Sequence, residues 1–479
     1  MAVASTKSKV LSGLKWNAVS VLATRGTDFG VKLILARLLL PEAFGVVGMA
    51  MVITSFLEVI SDMGLFNALV QRKEDAFTQV RYSSAFWFLL ILASSFVACF
   101  YLFISPLGAN FYNEPQLVPV LNALSLYLFF NIQTIVPRVI LTRKLDFRSL
   151  VQITYAGTAL SSVAAIVLAL TGFGVWSLVA KSVIGSSVVF ISYWLRVKWR
   201  PDLTFNFSTL RELSSYSTFS QLGGILYFFR NNVDYLIIGK LAGATTLGIY
   251  TLAFTLSEVL RAQLYSIINK VLFPVYSSIQ DDLKQVKDYY LKVMRFTAII
   301  TFPISSLFIG LAEDFILVVF GNEWLPAAGP LRILSVATML IAISGTPGEV
   351  LKGIGKPSVS FYISLFNTFV VALPSIYIAQ KYFGLTGVAY AVCIHYTASR
   401  ILFHHYMKKY IQLTDKDVIV ALRRPVLAAA LMIGVIYLIT MLQMPPLFTL
   451  LIAGAAGSAV YLLLFIKELK YGLDIIKKH

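Results

Sequence analysis

The sequence predicts an all-α polytopic membrane protein. It reads as 14 transmembrane helices, in two pseudo-symmetric six-helix bundles with a helix pair appended at the C-terminus. Three observations predict this: an apolar excess, a series of spanning-length apolar segments with alternating flanking charge, and a repeat between the two halves. Length alone, 479 residues, would suggest about three soluble domains at roughly 150 residues each. But 58% of the residues are apolar and only 13% charged, against about 45–50% and 25% in soluble domains. The mean hydropathy is +0.78. So few charges could not cover a soluble surface, and the same figures exclude disorder, a coiled coil and a disulfide scaffold. Cys99 and Cys393 both lie in apolar runs and form no disulfide framework. A net charge of +17 would suggest nucleic acid in a soluble protein. Here it follows from cytoplasmic loops rich in Lys and Arg, and no nucleic-acid partner is expected.

A helix needs about 20 predominantly apolar residues to cross the hydrocarbon core. Segments that qualify run near 14–37, 42–66, 82–105, 117–138, 150–171, 174–195, 214–239, 245–271, 292–312, 328–350, 358–380, 385–407, 425–443 and 446–466. They are numbered spans 1 to 14 below. Span 1 does not read as a cleaved signal peptide, because Arg25, Asp28 and Lys32 interrupt its interior. The connections after spans 3, 5, 9 and 13 contain SPLGANFYNEPQ, TGF, GNEW and QMPP, without Lys or Arg. The even connections hold Arg72, Lys73, Arg81, Arg138, Arg143, Lys144, Arg148, Arg196, Lys198, Arg200 and Arg211 in the first half. Lys284, Lys287, Lys292, Lys352, Lys356, Lys408, Lys409, Arg423 and Arg424 follow in the second. Positive loops stay in the cytoplasm, so both termini and every even connection are expected there. A wrong span count would scramble this alternation.

The two halves resemble each other. ILARLLLPEAFGVVGMA from Ile34 aligns without a gap with IIGKLAGATTLGIYTLA from Ile237. FYNEP at Phe111 has its counterpart in FGNEW at Phe320, Gln79-Val80-Arg81 in Gln285-Val286-Lys287, and Gly174-Val175 in Gly387-Val388. An even number of helices repeated in the same order makes a parallel repeat, related by an axis along the membrane normal. The expected domains are 1–200, the N-terminal bundle; 201–410, the C-terminal bundle; and 411–479, the appended hairpin with a cytoplasmic tail. The connections near 196–213 and 272–291 read as amphipathic and cytoplasmic.

Ionisable side chains inside spans are costly and face a bundle interior or a wet cavity. Arg25, Asp28 and Lys32 fall on one face of span 1. Glu58 and Asp62 share a face of span 2, Arg230 and Asp234 one of span 7, and Glu258 and Arg261 one of span 8. Such spacing also suits local pairing of Arg25 with Asp28, Arg230 with Asp234, and Glu258 with Arg261. Yet the charges gather in spans 1, 2, 7 and 8, the equivalent helices of the two repeats, as a water-filled cationic cavity for an anionic substrate requires. The substrate ligands expected are Arg25, Lys32, Arg230 and Arg261, with Arg25 and Arg261 foremost because the guanidinium fork suits phosphate oxygens. Asp28, Glu58, Asp62, Asp234 and Glu258 are candidates for a coupling Na⁺ or proton. Lys181 and His395 read as isolated packing or polar-network residues. Glu349, Arg400, His404 and His405 read as boundary residues that snorkel.

Gly353-Ile354-Gly355-Lys356-Pro357-Ser358 fails the spacing of a phosphate-binding loop and reads as a tight cytoplasmic turn. No HExxH, GxSxG or CxxC occurs, and neither a cofactor nor a metal site is expected. With no nucleotide-binding domain, ATP-driven transport by this chain alone is not expected.

The stretch DFGVKLILARLLLPEAFGVVGMAMVITSFLEVISDMGLFNALVQRKE, Asp28 to Glu74, resembles the polysaccharide exporter branch of the multidrug/oligosaccharidyl-lipid/polysaccharide exporter superfamily. So does RKLDFRSL at Arg143–Leu150, and GKPS after span 10 is common to the wider superfamily. The branch includes O-antigen flippases and colanic-acid-exporter-like proteins. The resemblance implies a non-enzymatic, alternating-access flippase for undecaprenyl-pyrophosphate-linked oligosaccharide units in the bacterial inner membrane. It would serve lipopolysaccharide, exopolysaccharide or capsule assembly, with membrane lipid around it and a polysaccharide polymerase and chain-length machinery as partners. Related flippases engage the pyrophosphate with arginines of the first and eighth helices, the helices of Arg25 and Arg261 here. A multidrug or other lipid-linked-precursor exporter of the same fold is the alternative, and for drugs it predicts an acidic cavity. A membrane glycan polymerase would need substrate-handling external loops, and the external connections here are short.

The charge alternation is directly testable. Reporter fusions at Asn113 and Asn322 are expected outside, and fusions at Lys144, Lys284 and Lys416 inside. A discordant pair would overturn the fourteen-span topology.

Overall fold

The computed structural model describes residues 23–62, 64–71, 78–208, 218–344 and 346–477. Among them every regular element is helical, as lipid demands, because only a helix or a closed barrel satisfies each backbone N–H and C=O within the bilayer. Among the described residues, eleven helical runs are long and apolar enough to cross a membrane. Two of these hold a pair of spans each. Thr218–Ser278 joins spans 7 and 8 across Gly243 (φ 77°). Leu373–Ile411 joins the end of span 11 to span 12 across Gly384 (φ 60°). An L side chain would strain either bend. Span 1 is described over 23–38, and its expected start near residue 14 lies outside the described residues. The eleven runs therefore account for expected spans 2 to 14.

Breaks within spans have local causes. Span 4 is Leu117–Gln133 followed by Ile135–Arg143, interrupted at Thr134. Span 10 is Ala328–Ser344 followed by Pro347–Gly353, whose proline cannot continue the preceding ladder. Spans 3 and 11 each contain a π turn, Phe100–Ile104 and Asn367–Ala372. Side-chain caps mark helix starts: Asp146 accepts from the Ser149 amide, Asp282 from the Gln285 amide, and Thr414 with Asp417 closes a reciprocal capping box.

The chain divides into two compact units, Met1–Gly248 and Ile249–His479. In the first, span 4 is the central helix, with Leu117, Leu121, Leu124 and Leu128 fully buried against neighbours in spans 2, 3 and 6. The connection after span 6 runs back over the start of span 3. Gln79 Nε2 donates to the Arg200 carbonyl (3.0 Å), and Trp87 Nε1 to the Asp202 carbonyl (2.8 Å). The Asp202 and Asn206 amides donate to the Ser83 and Ser84 hydroxyls. In the second unit, span 9 (within Leu283–Val319) packs on span 10 and on both helices of the C-terminal hairpin, Asp415–Thr440 and Pro446–Lys477. Tyr461 donates to the Ile299 carbonyl at 3.1 Å there.

Span 7 belongs to the first unit because it lies against span 2. Phe56 meets Phe228 and Phe229, and Gly224 faces Val59. The tightest approach is reciprocal. A Cβ on Gly45 would lie 1.7 Å from the Ala244 carbonyl oxygen, and one on Gly248 would lie 1.8 Å from that of Pro41. In the ungapped repeat alignment Gly45 corresponds to Gly248 and Pro41 to Ala244. The repeat read from the sequence thus reappears as a pseudo-two-fold backbone contact that only glycine permits. Gly45→Ala and Gly248→Ala are each expected to destabilise the detergent-purified protein by about 1–3 kcal/mol or more, since the added methyl meets backbone. Gly223→Ala, with open space at its Cβ, should leave the melting temperature unchanged or slightly raised. Equal melting temperatures for all three would refute the contact.

Candidate functional site

The first charged centre grows from the packing of span 1. Val31, Leu35 and Leu39 form an apolar stripe on Ala165 and Ala169 of span 5 and Leu178 of span 6. That contact fixes the register between spans 1 and 6. Lys181, one turn beyond Leu178, then reaches span 1, and its Nζ donates to Asp28 Oδ1 at 2.9 Å. Lys32, one turn beyond Asp28, lies within Coulomb range of Lys181, Asp28 and Arg25. Arg25 and Lys32 are exposed, and the Lys181 side chain is 18% exposed. Three cations therefore surround one carboxylate. This corrects two expectations. Asp28 pairs with Lys181 rather than with Arg25, and Lys181 is an ion-pair partner rather than an isolated packing residue.

The second centre ties span 2 to span 4. Tyr127 donates to Glu58 Oε2 at 3.5 Å, and the Asn131 amide donates to Glu58 Oε1. Sequence reasoning missed Tyr127 and Asn131. Their signal was a polar i, i+4 pair on one face of a mostly apolar helix. Asp62 ends the helix Pro41–Asp62, and its side chain lies outside the described residues.

The third centre lies in the second unit. Glu258 accepts from Arg261 Nε at 2.6 Å and from Arg261 Nη2, and from the Thr338 hydroxyl of span 10 at 3.1 Å. The local pairing offered by the i, i+3 spacing is thus realised, and Arg261 also lies over the Tyr265 ring, 5.1 Å from its centroid. The repeat alignment sets Glu58 opposite Arg261. Each repeat accordingly ties its second span to its fourth through a carboxylate.

The Arg230 guanidinium lies 5.6 Å from the Tyr227 ring centroid, while Asp234 is buried and accepts from the Tyr235 amide. Arg400 does not simply snorkel: it donates to the Ile343 carbonyl at 2.9 Å, near the broken end of the first helix of span 10. Tyr290 and Tyr265 donate to the neighbouring Ser344 and Ile341 carbonyls. These side chains satisfy carbonyls left over where the helix stops. His404 and Lys408 both meet Asp415, Glu349 pairs with Lys352, and Arg332 with Glu313.

A surplus of cations on membrane-spanning helices, partly exposed, is suited to holding an anionic headgroup. Residues 34–329 match the model of a family described as polysaccharide biosynthesis protein. The chain belongs to this family. It is 25% identical over 417 residues to "Lipopolysaccharide biosynthesis protein WzxC" of Escherichia coli (strain K12), covering 85% of this chain and 82% of the relative. It is 28% identical over 359 residues to "Succinoglycan biosynthesis transport protein ExoT" of Rhizobium meliloti (strain 1021), covering 75% and 72%. Among solved structures, "Lipid II flippase MurJ, inward closed conformation" superposes with a TM-score of 0.75 at 15% identity, covering 96% of this chain and 99% of that one. The fold of this family member is therefore that of this multi-pass membrane protein.

The Glu258–Arg261 pair makes a stability prediction. Glu258→Gln leaves a buried guanidinium without its counter-ion, and breaking such a pair costs about 3–5 kcal/mol. The double variant Glu258→Gln/Arg261→Met removes both charges and is expected to melt well above the single one. A double variant no more stable than the single would show that the two charges are not coupled.

Proposed function

We propose that this protein is a flippase that moves undecaprenyl-pyrophosphate-linked oligosaccharide units from the inner to the outer leaflet of the bacterial inner membrane. The units feed lipopolysaccharide, exopolysaccharide or capsule assembly. The observation that carries this reading is the cluster of Arg25, Lys32 and Lys181 with Asp28, the one carboxylate there among the described residues. A desolvated diphosphate needs compensating cations, and charge-assisted contacts contribute about 1.5–3 kcal/mol each. Membership of a polysaccharide biosynthesis family and likeness to relatives named as transport proteins support it. A drug exporter of cationic compounds would reverse the charge of this cluster.

In this reading both termini lie in the cytoplasm, and the chain, organised as six-helix repeats 1–200 and 201–410 with 411–479 as an accessory hairpin, works by alternating access. Arg25 and Lys32 are the primary phosphate ligands, supported by their exposure. Arg230 of span 7, and Arg261 once it leaves Glu258, are the further candidate ligands. Asp28, Glu58, Asp62, Asp234 and Glu258 are the carboxylates available to a coupling Na⁺ or proton. A polymerase and chain-length machinery consume the flipped units.

Arg25→Ala and Lys32→Ala are expected to abolish surface polysaccharide, with lipid-linked units accumulating on the inner leaflet while the protein still inserts. Arg25→Lys should rescue partly, because it keeps the charge and loses the fork. Reconstituted vesicles with and without a Na⁺ or proton gradient report on coupling through the final distribution of substrate. Normal export by both alanine variants would refute the cationic-site reading, and equal distributions would make the carboxylates structural partners alone.

A further inference from the structure

We infer that Lys181 is a further phosphate ligand, held by Asp28 while no substrate is bound, and that the Asp28–Lys181 pair is a counter-ion switch that times capture and release. This rests on the flippase reading above and extends it to a residue of span 6.

The geometry is specific. Lys181 Nζ lies 2.9 Å from Asp28 Oδ1, and the two side chains keep 18% and 37% of their surface exposed. An ion pair made only to lock two helices could be wholly enclosed; this one is open on one side. Lys32 and Arg25 lie along the same face of span 1, and Lys32 is within Coulomb range of all three charged neighbours. The cluster is short of anionic charge. Among the described residues, Asp28 is the one carboxylate with these three cations, a surplus of two positive charges. A diphosphate diester carries one ionised oxygen on each phosphorus, so it supplies the missing charge.

Lysine suits the exchange. Its ammonium has three rotatable donors on a flexible stem. Lys181 can therefore turn one donor to a phosphate oxygen before it leaves Asp28, so that no step exposes a bare charge to hydrocarbon. Without substrate, Asp28 offsets the repulsion among Lys181, Lys32 and Arg25. With the diphosphate bound, the anion takes over that role and Asp28 competes with it for Lys181. The competition keeps the site from holding its cargo too tightly, and Asp28 reclaims Lys181 as the headgroup departs. A ligand that must be released on the far side needs such a competitor, since uniformly tight binding would stall the carrier.

The alternative is that Lys181 only neutralises Asp28, and paired variants separate the two roles. The test uses the full chain in nanodiscs, inorganic pyrophosphate as the probe in calorimetry, and thermal unfolding as the control for folding. Asp28→Asn is expected to bind pyrophosphate several-fold more tightly and to slow flipping in vesicles, because it frees Lys181 and removes the competitor. Asp28→Asn/Lys181→Met should fold and yet bind at least tenfold more weakly than Asp28→Asn. Asp28→Asn/Lys181→Arg should keep most of the tighter binding. If Asp28→Asn/Lys181→Met binds as tightly as Asp28→Asn, Lys181 is a structural partner and the inference is overturned. Arg25→Ala and Lys32→Ala serve to separate the two failures. If these variants weaken binding and the Lys181 comparison shows no difference, only the switch fails. If they too bind like the wild type, the diphosphate reading of the whole cluster fails.

Discussion

An ion placed among membrane-spanning helices must find its counter-charge nearby or remain in contact with water. Much of this architecture follows from how that constraint is met. Asp28 draws Lys181 of span 6 to span 1, Glu58 gathers Tyr127 and Asn131 of span 4, and Glu258 engages Arg261 and Thr338. Each carboxylate ties one helix to another at the register that their packing sets. The unequal case is informative. Around Glu258 the acid and base balance, and both side chains are largely enclosed. Around Asp28 they do not balance, and the surplus cations are the exposed ones. A balanced pair gives a scaffold, whereas an unbalanced and accessible cluster gives a binding site.

Backbone geometry sets the second requirement. Helices that must bend or touch do so where the side chain is absent. Gly243 and Gly384 adopt left-handed φ at the joints between paired spans, and Gly45 and Gly248 let carbonyl oxygens come within reach of a neighbouring Cα. The second pair is reciprocal across the repeat. A contact made twice by equivalent residues is a natural product of duplication, because any surface that complements its own copy forms two contacts for each change in sequence. Where span 10 stops, Tyr265, Tyr290 and Arg400 donate to its last carbonyls. The broken helix is thus tolerated because other helices supply the missing donors.

The hydrophobic pattern was legible from composition because the bilayer reads it residue by residue: a segment of about 20 apolar residues spans wherever it occurs. The all-helical class, the run of spans, the repeat and the family were accordingly in the sequence, as was the concentration of charge in spans 1, 2, 7 and 8. The i, i+3 relation of Glu258 and Arg261 was also visible, since one helix turn brings them together without help from any other element. Asp28 behaved differently. It has cations at i−3 and i+4 on its own helix, yet it binds Lys181, 153 residues away in the chain. Helix periodicity lists the partners within a helix and is silent about those across one. The choice was made by the apolar stripe Val31, Leu35 and Leu39, which seats span 1 on Leu178 and so delivers Lys181. For the same reason Tyr127 and Asn131 could not be assigned to Glu58, and Arg400 could not be told from a snorkelling cation. By itself the sequence determined which residues are in the membrane and which of them are charged. Only the tertiary structure decided which charges meet, because that depends on helix register, and register is set by packing between segments far apart in the chain.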